Sequence, residues 1–174
     1  MTRAGSVRAV GMPLAMGNDP LKSGLMVTVL VTVLDQLCKW AMLEIVMEPP
    51  RIIPVTSFFN LVLVWNRGVS FGFLGGASSQ WIPWLLTVLA LAIMAALGWW
   101  LRRAANRLMV LALGLVMGGA LGNVIDRLRF GAVMDFLDFH AAGLHWPAFN
   151  VADSAITVGA TLILYDAFFV RRNP

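Results

Sequence analysis

The sequence predicts a membrane protein, four transmembrane helices with a small antiparallel β-sheet outside the bilayer, from its composition, its apolar spacing and one change of texture. Hydrophobic residues make up 59% of the 174 and charged residues only 13%, with a mean hydropathy of +0.79. That leaves too little polar surface to cover a water-soluble globule. Four apolar stretches, about 21–42, 81–101, 108–125 and 148–170, each approach the roughly 20 residues needed to cross hydrocarbon. Each is expected to be a helix, because lipid offers the backbone no other hydrogen-bond partner. Between the first two, about 44–80, Ile52, Ile53, Val55 and then Phe58 to Trp65 are β-branched and aromatic and bounded by Pro and Gly, which predicts strands turning near Thr56 and Ser57. All 174 residues are expected to form one integral membrane domain.

The first stretch has the length of a signal-peptide core, with Arg3, Arg8 and Lys22 before it. Asp35 and Lys39 follow directly, with no small-residue cleavage site and three more spans downstream, so it is read as a retained helix. Residues 1–20 carry Gly, Pro, Asn and Asp without an apolar period, which predicts a flexible cytoplasmic arm. Segment Val69–Leu74, between Gly68 and the Gly75–Gly76 pair, fits a short interfacial lid and an ordinary interfacial loop equally.

Orientation follows from the cations. With four spans, Arg3, Arg8, Lys22, Arg102, Arg103, Arg107, Arg171 and Arg172 share one side, while Lys39, Arg51, Arg67, Arg127 and Arg129 lie toward the other. The richer side is expected in the cytoplasm with both termini. This scatter over a membrane topology, rather than one basic stripe, argues against nucleic acid as a partner. Acids are distributed the opposite way: Asp19 and Asp166 on the cytoplasmic side, and Asp35, Glu44, Glu48, Asp126, Asp135, Asp138 and Asp153 toward the outer one. The orientation rule gives acids little weight, so chemistry at the outer face is the better account.

Two stretches carry it. In the third span, which ends MGGALGNVIDRLRFG, Gly114, Gly118 and Gly122 recur every fourth residue, and small residues at that spacing let another helix approach closely. Asn123, Asp126 and Arg127 fall together on one face, where an Asn a turn inside hydrocarbon needs a polar partner. In FNVADSAITVGAT, Asn150, Asp153, Ser154, Thr157 and Thr161 recur at helical spacing. Asp126 and Asp153 come at nearly equal depth, roughly 25–27 Å of helix from the cytoplasmic ends. Asp135, after Gly131 has stopped the third helix, lies between them. Three carboxylates with Asn66, Asn123, Asn150 and Arg127 as neighbours can therefore converge at the outer mouth. Two close carboxylates share a proton, so that the charged one deprotonates water while the neutral one donates to a carbonyl oxygen. Helical geometry leaves open which two pair.

Asp35 and Lys39, at i and i+4, form a structural ion pair on this reading, and Cys38 beside them packs as an apolar residue. A lone cysteine excludes an intrachain disulfide. His140 and His145 do not have the i, i+4 spacing of zinc peptidases, so neither metal nor other cofactor is expected. The main rival from another class is a small proton-coupled transporter, which would continue its polar residues across the midplane.

Taken together, DQLCK at 35–39, NRGVSFG at 66–72, GGALGNVIDR at 118–127, VMDF at 133–136 and FNVADSAITVG at 149–159 resemble the lipoprotein signal peptidases, or signal peptidase II. The resemblance implies an aspartyl endopeptidase of the bacterial inner membrane, cutting diacylglyceryl-modified prolipoproteins just before the lipidated cysteine. It implies catalytic roles for Asp135 and Asp153, with Asn66, Gly119, Asn123, Asp126, Arg127, Asn150 and Thr157 binding substrate or shaping the site. It also implies inhibition by globomycin-type peptides. Membrane lipid and prolipoproteins are the partners expected of what is read as a monomer.

Overall fold

The computed structural model describes residues 19–68 and 81–170. Segment Val69–Leu74, expected as either a lid or an ordinary interfacial loop, nearly all of the arm 1–20, and Arg171 and Arg172 lie outside the described residues.

Four helices are long and apolar enough to cross a membrane. Helix α1 (Pro20–Ala41) starts with Asp19 accepting the Leu21 N–H and Pro20 in the first turn, and continues through a π-helical turn to Val46. Helices α2 (Ile82–Leu101), α3 (Arg107–Phe130) and α4 (Val151–Tyr165, extended by a second π turn to Val170) complete the bundle. Helix α3 runs five residues beyond the expected 125 and stops at Gly131, whose φ of 68° and N–H bond to the Arg127 carbonyl form a left-handed C-cap. Helix α4 begins at Val151 rather than 148, because Asn150 caps it.

The glycines of α3 set how closely the helices pack. A Cβ on Gly114 would lie 2.7 Å from Val27 Cβ, and one on Gly118 the same distance from Val31 Cβ. Side chains of α1 use that closeness: Thr28 and Thr32 Oγ1 donate to the Gly114 and Gly118 carbonyls at 3.3 and 3.0 Å, and Gln36 Nε2 to the Gly122 carbonyl at 3.2 Å. Every rung joins residues 86 apart, so α1 and α3 run parallel. On the other flank, a Cβ on Gly119 would collide with the Ala152 carbonyl of α4.

Beyond the C-terminal ends of α1 and α3 stands a four-stranded antiparallel sheet in the order β1 (Ile53–Thr56), β2 (Phe59–Asn66), β3 (Val133–Ala141), β4 (Leu144–His145). The expected first turn falls one residue later, at Ser57 and Phe58, with Thr56 still in β1. The other half of the sheet comes from the connection between α3 and α4, where sequence reading had placed Asp135 without assigning it a strand. Met134 and Phe136 of β3 join Met42 and Met47 in an apolar cluster that Cys38 packs against. Asp135 falls between them on the opposite face of the strand.

In detergent, Gly119→Ala should lower the unfolding temperature by several degrees, since overpacking at a close backbone contact costs about 1–3 kcal/mol. Gly98→Ala is the control: its Cβ would meet only Met117 Cε at 3.7 Å, and thermal unfolding should show no loss.

Candidate active site

The site grows out of two chain ends. Asn150 and Asp153 form a capping box at the start of α4: Asn150 Oδ1 accepts the Asp153 N–H at 2.9 Å, and Asp153 Oδ2 accepts the Asn150 N–H at 3.2 Å. The helix start thereby fixes Asp153, whose Oδ1 accepts from Asn123 Nδ2 of α3 at 2.8 Å. The Asn150 amide points back to β3, donating to Asp135 Oδ1 at 2.7 Å and to the Met134 carbonyl at 3.1 Å. Asn66, at the end of β2, donates to Asp135 Oδ2 at 3.1 Å. One capping asparagine thus links the two carboxylates.

Asp135 is 2% exposed. Burial pushes its carboxyl up to about 6; the Asn66 and Asn150 hydrogen bonds and the Lys39 charge pull the other way, and the negative Asp153 adds to the rise. It opens onto a cleft of about 510 Å³ lined by Val64, Trp65, Asn66, Arg67, Pro147 and Ala148.

Asp126 is directed elsewhere. Its Oδ2 lies 2.8 Å from Lys39 Nζ and accepts the Met134 N–H at 3.1 Å, while Oδ1 accepts from Gln36 at 2.9 Å. The expected Asp35–Lys39 pair is present at 2.9 Å, and Lys39 bridges both acids. Gly119 is a contact for the first turn of α4. Arg127 lies within electrostatic reach of Asp153, Asp126 and Asp135, and its Nη1 is 3.4 Å from the Asn123 carbonyl. Thr157 is exposed on α4, and its side chain does not join this network among the described residues.

Sequence reading missed four contributors. Gln36 and the threonines of α1 sit at a four-residue spacing that matches the α3 glycines, a signal available in the sequence. Asn60 is the fourth: with His145 it holds Asp138, at 2.9 and 2.8 Å respectively. Burial would raise the Asp138 carboxyl, but the His145 and Asn60 bonds outweigh it and hold it below its ordinary value. This clasp closes the β3–β4 hairpin ahead of Asn150. Among the described residues no group of three His, Cys, Asp or Glu is arranged to hold a metal ion.

Four spanning helices with a buried polar site at the sheet end define a multi-pass membrane protein that concentrates its chemistry at one end of the bundle. Residues 27–169 match the family model described as signal peptidase (SPase) II. The lipoprotein signal peptidase of Burkholderia vietnamiensis is 52% identical over 141 residues, 80% of this chain and 84% of that protein; the enzyme from Burkholderia mallei is 49% identical over the same shares. A bacterial membrane enzyme solved in meso at 1.9 Å superposes with a TM-score of 0.73 at 29% identity, covering 85% of this chain and 94% of that one. A second, at 2.3 Å, has a TM-score of 0.69 at 30% identity over 84% and 90%. The chain belongs to the signal peptidase II family, membrane peptidases that remove signal peptides from lipoproteins.

The raised Asp135 carboxyl has a stability consequence of definite sign. The folded chain keeps that proton up to about 6, whereas the group ordinarily releases it near 3.8. Protonation therefore favours the fold, and this contribution fades as pH rises from roughly 4 through 6. Comparing thermal unfolding of wild type and Asp135→Asn in detergent, wild type should lose ground across that window, with a constant difference above roughly pH 7.

Proposed function

We propose that this protein is an intramembrane aspartyl endopeptidase that cleaves diacylglyceryl-modified prolipoproteins immediately before the lipidated cysteine, with Asp135 and Asp153 as its catalytic dyad. The observation that carries the assignment is the Asn150 link: one residue donates through its amide to Asp135 and caps the turn holding Asp153. Asp126, the third acid, is committed to Lys39. Two carboxylates sharing one proton suit hydrolysis of an unactivated amide. The charged carboxylate takes a proton from water as its oxygen attacks the scissile carbonyl carbon, and the neutral one gives its proton to the carbonyl oxygen. The tetrahedral intermediate then collapses, the C–N bond breaks, and the leaving nitrogen takes up a proton from the dyad. The carboxyl raised to about 6 on Asp135 suits it to hold the shared proton.

On this reading Asn66, Asn123, Asn150 and Arg127 orient the carboxylates and the substrate backbone, and Gly119 and Asp126 shape the site. Thr157, exposed on α4, is better placed to meet the substrate's membrane-embedded segment than the dyad. The cation asymmetry supports both termini in the cytoplasm and the sheet at the outer face of the bacterial inner membrane. There the dyad meets substrate leaving the outer leaflet, and a globomycin-type peptide would compete for the same cleft. The protein acts as a monomeric single domain with residues 1–20 as a cytoplasmic arm.

The test is cleavage of a diacylglyceryl-modified prolipoprotein peptide by detergent-purified protein. Asp135→Asn and Asp153→Asn should each lower kcat by at least about 1,000-fold while the protein remains folded, and globomycin should inhibit the wild type. A wild type that leaves an authentic lipidated peptide intact would overturn the peptidase assignment in favour of the transporter. Turnover that survives Asp135→Asn but not Asp126→Asn would replace the dyad.

A further inference from the structure

Lys39 takes no part in the mechanism above, yet it is 5% exposed at the centre of the polar network. An ammonium has three donors and no acceptor, and three oxygens receive them: Asp35 Oδ2 at 2.9 Å, Asp126 Oδ2 at 2.8 Å and Asn123 Oδ1 at 3.3 Å. The third contact has a directional consequence. A planar amide that turns its oxygen to Lys39 must turn its NH₂ the other way, and Asn123 Nδ2 meets Asp153 Oδ1 at 2.8 Å. The flipped amide would press NH₂ hydrogens against the ammonium and an oxygen lone pair against the carboxylate. Asn150 Nδ2, 3.4 Å from Asn123 Oδ1, favours the same orientation.

We propose that Lys39 is a positioning residue of the peptidase reaction, holding the Asn123 amide in the one orientation that presents its N–H to Asp153. The assignment rests on the dyad reading above. Asp153 can orient that amide by itself only while it is ionised. When the proton moves between the acids during turnover, a protonated Asp153 could donate to Asn123 Oδ1 and let the amide turn over. Lys39, clamped between two carboxylates outside the proton exchange, holds the amide in the same sense at every stage. Its partner Asp35 acts on the same target from the backbone side: Asp35 Oδ1 accepts the N–H of Ala152, the residue before Asp153, at 2.9 Å. The α1 ion pair thus reaches Asp153 by two routes, one through Asn123 and one through the first turn of α4.

Removing Lys39 alone would strand two buried acids, so the test neutralises Asp126 with it and leaves Asp35 its Gln36 and Ala152 N–H donors. Lys39→Met is made together with Asp126→Asn and compared with Asp126→Asn alone, in the full chain, on the same lipidated peptide, with kcat expressed per folded protein. The Lys39 change should lower kcat by about 10–100-fold and move KM by less than about 2-fold. On an Asn123→Ala background the same change should lower kcat by less than about 2-fold, because the residue it acts through is already gone. Where the Met variant does not fold, Lys39→Gln keeps an N–H donor and carries the same comparison, with a loss of about 3–10-fold on native Asn123 and none on Asn123→Ala. Equal losses on the two backgrounds, or lower thermal stability with unchanged kcat per folded protein, would make Lys39 merely structural and overturn the proposal. A wild type without turnover would overturn the peptidase reading and this assignment together, whereas an active wild type with additive losses overturns this assignment alone.

Discussion

Helices α1 and α3 are held at a distance that only glycine permits, and the polar site depends on that spacing. Thr28, Thr32 and Gln36 donate across it to three successive glycine carbonyls of α3, each a turn further along. With side chains on Gly114, Gly118 and Gly122, the helices would be forced apart and those oxygens would be out of reach. A Cβ on Gly122 would lie 2.5 Å from Asp35 Oδ2, so the same glycine that accepts from Gln36 makes room for the acid that anchors Lys39. The ion-pair network is therefore the last rung of a packing ladder that begins deep in the apolar part of the bundle. Taking charges into such surroundings costs several kcal/mol per ion, and the offset here is close geometry, with every Lys39 donor matched to an oxygen.

Ends of secondary structure supply the rest. Gly131 stops α3 and releases the chain into β3, where alternation sends Met134 and Phe136 into an apolar cluster and leaves Asp135 on the other face. The return through β4 leads directly into the cap of α4, so that Asn150 arrives beside Asp135. Phe149 fixes that arrival by exchanging backbone hydrogen bonds with Leu137, at 2.9 and 3.1 Å. Asp153 then serves two purposes with one side chain, Oδ2 closing the capping box and Oδ1 receiving Asn123. Removing that carboxylate touches helix initiation as well as the proposed chemistry, which makes the isosteric amide the informative substitution.

The four spans were legible in the sequence because lipid imposes one requirement, length of apolar helix, and it repeats four times. Helix ends were legible to within a few residues: the α3 pattern faded at Ile125 because Asn123, Asp126 and Arg127 are polar, yet those residues are accommodated within the helix and its stop is Gly131. Strand β3 went unassigned because Asp135 and Asp138 interrupt its apolar run, and its pairing with β2 joins segments about seventy residues apart, as with Asn66 and Asp135. The convergence of acids at one end was legible from spacing, but Asp126's departure to Lys39 was not, since i, i+4 spacing already gave Lys39 a local partner in Asp35. Thr157 marks the limit of periodicity: one turn from Asp153 on a helical projection, it has rotated onto the exposed face.

The distribution of polar groups also bears on whether the bundle could serve as a conduit. A proton or ion path needs polar groups free to exchange partners along its length. In the middle of the bundle the polar side chains of α1 are Thr28 and Thr32, and each hydroxyl is committed to a carbonyl of its own helix and another of α3. Their lining neighbours are glycines packed to backbone contact. Helix α2 contributes Thr87, bonded back to the Pro83 carbonyl, and no charge. Ionisable groups reappear at the far end as Asp166, buried and receiving the Asn106 amide at 2.7 Å. Between Asp35 and Asp166 the hydroxyls of Thr28, Thr32, Thr87, Ser154 and Thr161 are each hydrogen-bonded to a backbone carbonyl, and Thr157 is exposed on the outer surface of α4 rather than lining a path. The proposed hydrolysis needs only the sheet end to be wet, since on that reading water, the scissile bond and both carboxylates meet there without anything crossing.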